Sequence, residues 1–122
     1  MRFDFLVDSA SPITVVSPAD WYRYPAFGRL LDEAAEQRVQ TRSGVSRAWD
    51  IPAMLGMDTA DERHLLMLPI AVVAPGQMDD DAPSRLGRDV LNQCLVVAHA
   101  RDQTLLIEPI EWDIQTPRLG SP

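Results

Sequence analysis

Near the start of the chain two apolar runs flank one acidic residue, in the stretch Phe5-Leu-Val-Asp8-Ser9-Ala10-Ser-Pro-Ile-Thr14-Val-Val-Ser17. An apolar run that breaks at small and polar residues and then resumes predicts two short strands, over residues 2–8 and 12–17, with Asp8 on the tight turn between them. A carboxylate held between buried strands is expensive unless it is paired, hydrogen-bonded or used chemically. Ser17-Pro18-Ala19-Asp20 predicts a helix start, with Ser17 as N-cap and Pro18 at the first helical position. From Pro25 to Gln37 the residues Phe27, Leu30, Leu31, Ala34 and Ala35 recur at helical spacing and predict a helix. Residues 38–57 alternate and break at Ser43-Gly44, the pattern of a β-hairpin with Gly44 in its turn.

The second half is richer in continuous apolar segments. Leu65 to Ala74, ended by Pro75-Gly76, predicts a strand buried on both faces. Residues 86–94 predict a short helix, and Leu95–Ala98 and Thr104–Glu108 predict strands paired around Arg101-Asp102. After Trp112 the chain turns to Pro, Gly and Ser, which predicts a loosely ordered tail.

At 122 residues the chain has the size of one domain. A formal net charge of -7 argues against a nucleic-acid or anionic-membrane surface, which needs a basic patch. Cys94 is the sole cysteine, so the chain can form no internal disulfide and reads as suited to a reducing, cytoplasmic setting. Its apolar neighbours mark Cys94 as a small core residue rather than a nucleophile. No signal peptide is visible, and the longest apolar run is far shorter than the ~20 residues of a membrane helix. His64 and His99 are isolated and belong to no metal-ligand spacing. Asp79-Asp80-Asp81 lacks the regular spacing of a calcium loop and reads as a solvated loop.

Two segments carry a resemblance to a known family. The stretch FLVDSASPITVVSP resembles the active-site strand and turn of the aspartic peptidases, Asp-Thr/Ser-Gly-Ala/Ser followed by an apolar, Thr-containing strand. Asp8 then takes the catalytic position, Ser9 the hydroxyl position, Ala10 the glycine position and Thr14 the strand threonine. The segment Arg85-Leu-Gly-Arg-Asp-Val-Leu-Asn-Gln-Cys94 resembles the Ile/Leu-Leu-Gly-Arg-Asp-Phe/Val-Leu motif of the single-domain, retropepsin-like branch, and Leu86, Gly87, Arg88, Asp89 and Leu91 match it. The motifs stand in the family's order, about 75 residues apart, and the resemblance spans most of residues 3–108. Asp58-Thr59-Ala60 superficially repeats the first motif, but Asp61, Glu62 and Arg63 follow it where an apolar strand is needed, so it reads as a solvated hairpin turn.

The resemblance implies an all-β, mainly antiparallel, retropepsin-like acid protease barrel with a short C-terminal helix and one inserted helix. Its domain would cover residues 1–112, without the family's N-terminal strand, and residues 113–122 would be a flexible tail. It further implies hydrolysis of peptide bonds by two carboxylates that share one water, with no cofactor and no metal. The chain offers one candidate carboxylate, so the second must come from a symmetry mate, in a homodimer whose partner is a peptide or protein substrate. In that scheme Ser9 braces the turns across the dimer, Gly44 tips the flap over the substrate, and Arg85 and Gly87 line the cleft. Thr14, Leu86, Arg88 and Asp89 complete the structural motif. Ala10 in place of glycine, Pro12 where relatives carry Ser or Asp, and Arg85 at an apolar position depart from the pattern. They keep a second function open, that of a catalytically impaired dimerisation or peptide-binding module.

Overall fold

The longest alternation in the chain builds the frame. In the computed structural model, which describes residues 2–32, 34–41, 44–76, 81–99 and 101–117, β4 (Gly44–Asp58) and β5 (Glu62–Val73) pair antiparallel from Ala48↔Val73 to Asp58↔Arg63. Ile51, Ala53, Leu55 and Met57, opposite Ile70, Leu68, Leu66 and His64, turn to the buried face, while Pro52, Met54, Met67 and Pro69 are exposed. The expected burial of β5 on both faces therefore holds only for Ala71–Ala74. There β2 (Val15–Val16) runs parallel beside β5, through Val15↔Ala71 and Val16↔Val72.

Two prolines face each other inside this ladder, Pro52 opposite Pro69. The Met67 N–H donates to the Asp113 carboxylate at 2.7 Å, and the Ala71 N–H donates to the Thr14 carbonyl at 3.2 Å. Both point away from β4, so the ring nitrogen of Pro69 between them points outward too and removes no bond from the β4–β5 ladder. It sits in the gap between β2 and β9 (Ile114–Pro117), which pairs antiparallel with β5 from Leu65↔Ile114 to Glu62↔Pro117. The expectation of a loose tail after Trp112 is thus corrected over residues 114–117. Trp112 is buried ahead of β9, its indole N–H bonded to the Gln93 carbonyl at 2.9 Å, and holds the segment on the sheet.

On the far side of β4 lies β3 (Ala35–Thr41), registered from Ala35↔Asp50 to Thr41↔Gly44. The helix expected from Pro25 to Gln37 is shorter than the pattern suggested, since α2 spans Ala26–Asp32 and residues 35–37 are already strand. Ala34 and Ala35 fit either period; pairing with β4, which buries Val39, decides the outcome over local propensity. Ser43 and its neighbour Arg42 lie outside the described residues, as do Asp79 and Asp80.

The two arms around Asp8 do not pair with each other. β1 (Phe5–Val7) and β2 are separated by β6 (Ser84–Leu86), which is parallel to β1 and antiparallel to β2. The sheet order is β1-β6-β2-β5-β4-β3 with β9 on β5, and the whole is a mostly-β, curled half-barrel with few short helices. Between β2 and α2 stands α1 (Pro18–Trp21). The helix expected over 86–94 is confined to α3 (Arg88–Leu91); Leu86 closes β6 and Cys94 opens β7 (Cys94–His99), which pairs with β8 (Thr104–Pro109) as a separate two-stranded sheet. The core clusters around Val15, Val39, Ala48 and Val73; around Val16, Trp21, Phe27 and Val72; and around Leu66, Leu86, Val90 and Trp112. Each large side chain in them contributes about 1.5–3 kcal/mol by leaving water. Among the described residues no helix is long and apolar enough to cross a membrane.

Candidate functional site

Asp8 is the first residue after β1, where the chain must leave the sheet. Its N–H donates to the Leu86 carbonyl at 3.0 Å, extending the β1–β6 ladder by one bond, and its carbonyl accepts from the Ser11 N–H at 3.1 Å. The carboxylate oxygen Oδ1 accepts from the Ala10 N–H at 3.0 Å, closing an Asx-type turn that presents Ser9 and Ala10 to solvent. Among the described residues only Gln103 and Glu111 are non-glycine residues of positive φ, so Ala10 sits in ordinary backbone and the missing glycine causes no strain within the protomer. The second oxygen, Oδ2, lies 3.9 Å from Arg85 Nη1, with side-chain exposures of 28% for Asp8 and 16% for Arg85.

The two sequence motifs meet beneath this turn. Thr14, fully buried, donates from its hydroxyl to Asp89 Oδ1 at 2.7 Å and from its N–H to Asp89 Oδ2 at 3.0 Å. The same hydroxyl accepts from the Gly87 N–H at 3.1 Å. Asp89 also accepts from the Val90 N–H at 2.8 Å, and the Arg88 N–H returns to the Ser11 carbonyl at 2.8 Å. Residues 75 positions apart are thereby closed into one hydrogen-bonded knot. Gly87 is required by contact, since a Cβ there would lie 2.3 Å from the Ile13 carbonyl oxygen and 2.9 Å from that of Ser11. Expected among substrate-binding residues, Gly87 is buried and acts as the close-approach point of the two motifs.

Other candidates are more dispersed. Gly44 opens β4 opposite Thr41 in the β3–β4 hairpin, whose turn lies outside the described residues. The Arg88 side chain is exposed and, with Val7, Ser9, Leu91, Cys94 and Leu105, lines an open groove between the Asp8 turn, α3 and the β7–β8 hairpin. Cys94 is half-buried there, its Sγ 3.4 Å from the Val90 carbonyl, and burial pushes its thiol above the ordinary range. Asp58 forms a two-point ion pair with Arg63, Nε–Oδ1 2.8 Å and Nη2–Oδ2 3.2 Å, at the β4–β5 turn and apart from the Asp8 knot. His64 packs edge-on against Trp112, and among the described residues no group of three or more His, Cys, Asp and Glu could hold a metal ion.

One part of the support was missed by the sequence reading. Ser17 does take the N-cap position of α1, but its hydroxyl makes no cap bond and lies 3.4 Å from Asp20 Oδ2. Asp20 in turn accepts from the Ser84 N–H at 3.2 Å and from the Ser84 hydroxyl, and Ser84 Oγ accepts from the Ser17 N–H at 2.9 Å. This second polar tie fastens β6 between the arms from the end opposite the knot. Its only local signal was an acidic residue in the first helical turn, where it also serves the helix dipole. No family model matches the chain, and no curated protein matches it.

Proposed function

We propose that this chain is one subunit of a retropepsin-like aspartic endopeptidase, active as a homodimer in which Asp8 and its symmetry mate hold one water. The observation that carries the reading is the knot of Thr14, Gly87 and Asp89, which braces a tight turn whose exposed end is Asp8-Ser9-Ala10. Two carboxyls about 3 Å apart cannot both ionise. The ionised one takes a proton from the water as it attacks the peptide carbonyl; the protonated one donates to the carbonyl oxygen, giving a tetrahedral diol that collapses with the proton passed to the leaving amine.

The β7–β8 hairpin supports the dimer. It forms a sheet of its own with Leu95, Val96, Leu105 and Leu106 exposed, and a lone two-stranded hairpin in water is marginally stable. The groove beside it reaches Ser9, so a partner packed on the hairpin would lie next to the turn that the dyad needs. A single cysteine suits a cytoplasmic setting. A second reading, the non-catalytic dimerisation or peptide-binding module, draws on Arg85, whose permanent charge lies beside the one candidate carboxylate.

The test is peptide cleavage from acidic to neutral pH by the purified protein. Asp8→Asn abolishes cleavage and leaves the fold intact, while Asp58→Asn leaves the rate unchanged. A wild-type protein that cleaves nothing, yet is dimeric and folded, sinks the endopeptidase and leaves the module.

A further inference from the structure

Arg85 has no role in the knot, yet its position is well defined. It stands in the middle of β6 opposite Val15 of β2, and directly opposed residues of an antiparallel pair share a face. Val15 packs with Val39 and Ala48, so Arg85 rises on the side of the sheet covered by the β3–β4 hairpin. Its side chain is mostly withdrawn from water, with 16% exposed. The approach to Asp8 Oδ2, 3.9 Å, exceeds hydrogen-bonding distance, and among the described residues no acceptor takes a hydrogen bond from the Arg85 side chain.

A guanidinium is always charged and presents five donors in a planar fork that matches a carboxylate. Desolvated donors without acceptors favour whatever ligand supplies them. Because Arg85 stands next to the carboxyl that would hold the attacking water, a substrate side chain that reaches it belongs to a residue flanking the scissile bond. Two-fold symmetry places one guanidinium on each side of that bond. A dyad sharing one proton carries a single negative charge against the two guanidinium charges, so a single substrate carboxylate neutralises the site and a second over-corrects it. We infer that Arg85 makes the cleft select peptides with one acidic side chain, Asp or Glu, on either residue flanking the scissile bond and not on both. This inference rests on the endopeptidase reading.

The experiment is profiling of a randomised peptide library with wild-type protein, Arg85→Leu and the charge-preserving Arg85→Lys, followed by matched peptides carrying Asp or the isosteric Asn beside the cleaved bond. Charge-assisted hydrogen bonds predict roughly a ten- to hundredfold advantage in kcat/KM for the singly acidic peptide. That advantage is retained in part by Arg85→Lys and lost in Arg85→Leu. Efficient cleavage with no Asp-over-Asn difference in the wild type overturns the inference while leaving the peptidase intact, whether or not Arg85→Leu folds. If the wild type cleaves nothing, the peptidase reading fails, and fluorescence anisotropy of the same labelled peptides decides on Arg85. Tighter binding of the singly acidic peptide to wild type than to Arg85→Leu upholds the acidic selection, and equal binding overturns it.

Discussion

Among the described glycines Gly87 has the least room, because the backbone of Ile13 and Ser11 occupies the space a side chain would need. Gly87→Ala must push two backbone segments apart, so it is expected to destabilise by about 2–4 kcal/mol, at or beyond the upper end of ordinary overpacking. Thr14→Val keeps the shape but leaves the buried Gly87 N–H unpaired and takes away one of the two donors to Asp89 Oδ1, at about 1–3 kcal/mol. Urea denaturation followed by tryptophan fluorescence measures both; wild-type midpoints for the two variants would contradict the knot. At Cys94 burial raises the thiol's pKa, so less thiolate is present in the folded protein than in the unfolded chain at a given pH. Alkylation in native buffer is expected to lag behind alkylation in denaturant and to catch up only as pH rises above the ordinary thiol range, which mass spectrometry follows directly. Thr14 and Gly87 were legible only through the resemblance of their segments to the family's two motifs. Asp20 and Ser84 were not, because they meet across 64 residues and neither breaks a local pattern.

At the scale of elements, strands were easier to find than their partners. Alternation marked β4, two short segments either side of Arg101-Asp102 marked β7 and β8, and the Asp58 turn read correctly from its solvated neighbours. The helix over 25–37 was overextended because Ala34 and Ala35 satisfy both periods, and only the pairing of β3 with β4 separates them. A strand as short as β9 leaves no periodic trace, and its place is decided by Trp112 and by the free edge of β5. That β6 threads between β1 and β2 could not be read locally, since parallel pairing across the chain carries no turn signal. The β7–β8 hairpin yields its own prediction. Leu106→Asp places a charge on an exposed apolar strand, and if this hairpin is where two copies meet, it shifts sedimentation from dimer to monomer while the protomer stays folded. An unchanged dimer would remove the hairpin from the interface.

For the whole molecule, the mostly-β class and the convergence of the two motif segments were legible, while the extent of each helix and the ordering of residues 114–117 were not. The assembly is the central claim of the proposed endopeptidase, in which each copy supplies one carboxylate and cleavage needs two. Mixing tests it most directly. When Asp8→Asn protein is equilibrated with a fixed amount of wild type, mixed dimers carry one intact carboxylate each, so peptide cleavage is expected to fall progressively, to about half at equal amounts under random exchange. Cleavage that stays constant as Asp8→Asn protein is added, at concentrations where subunit exchange is demonstrated, would contradict an active site shared between two copies of Asp8.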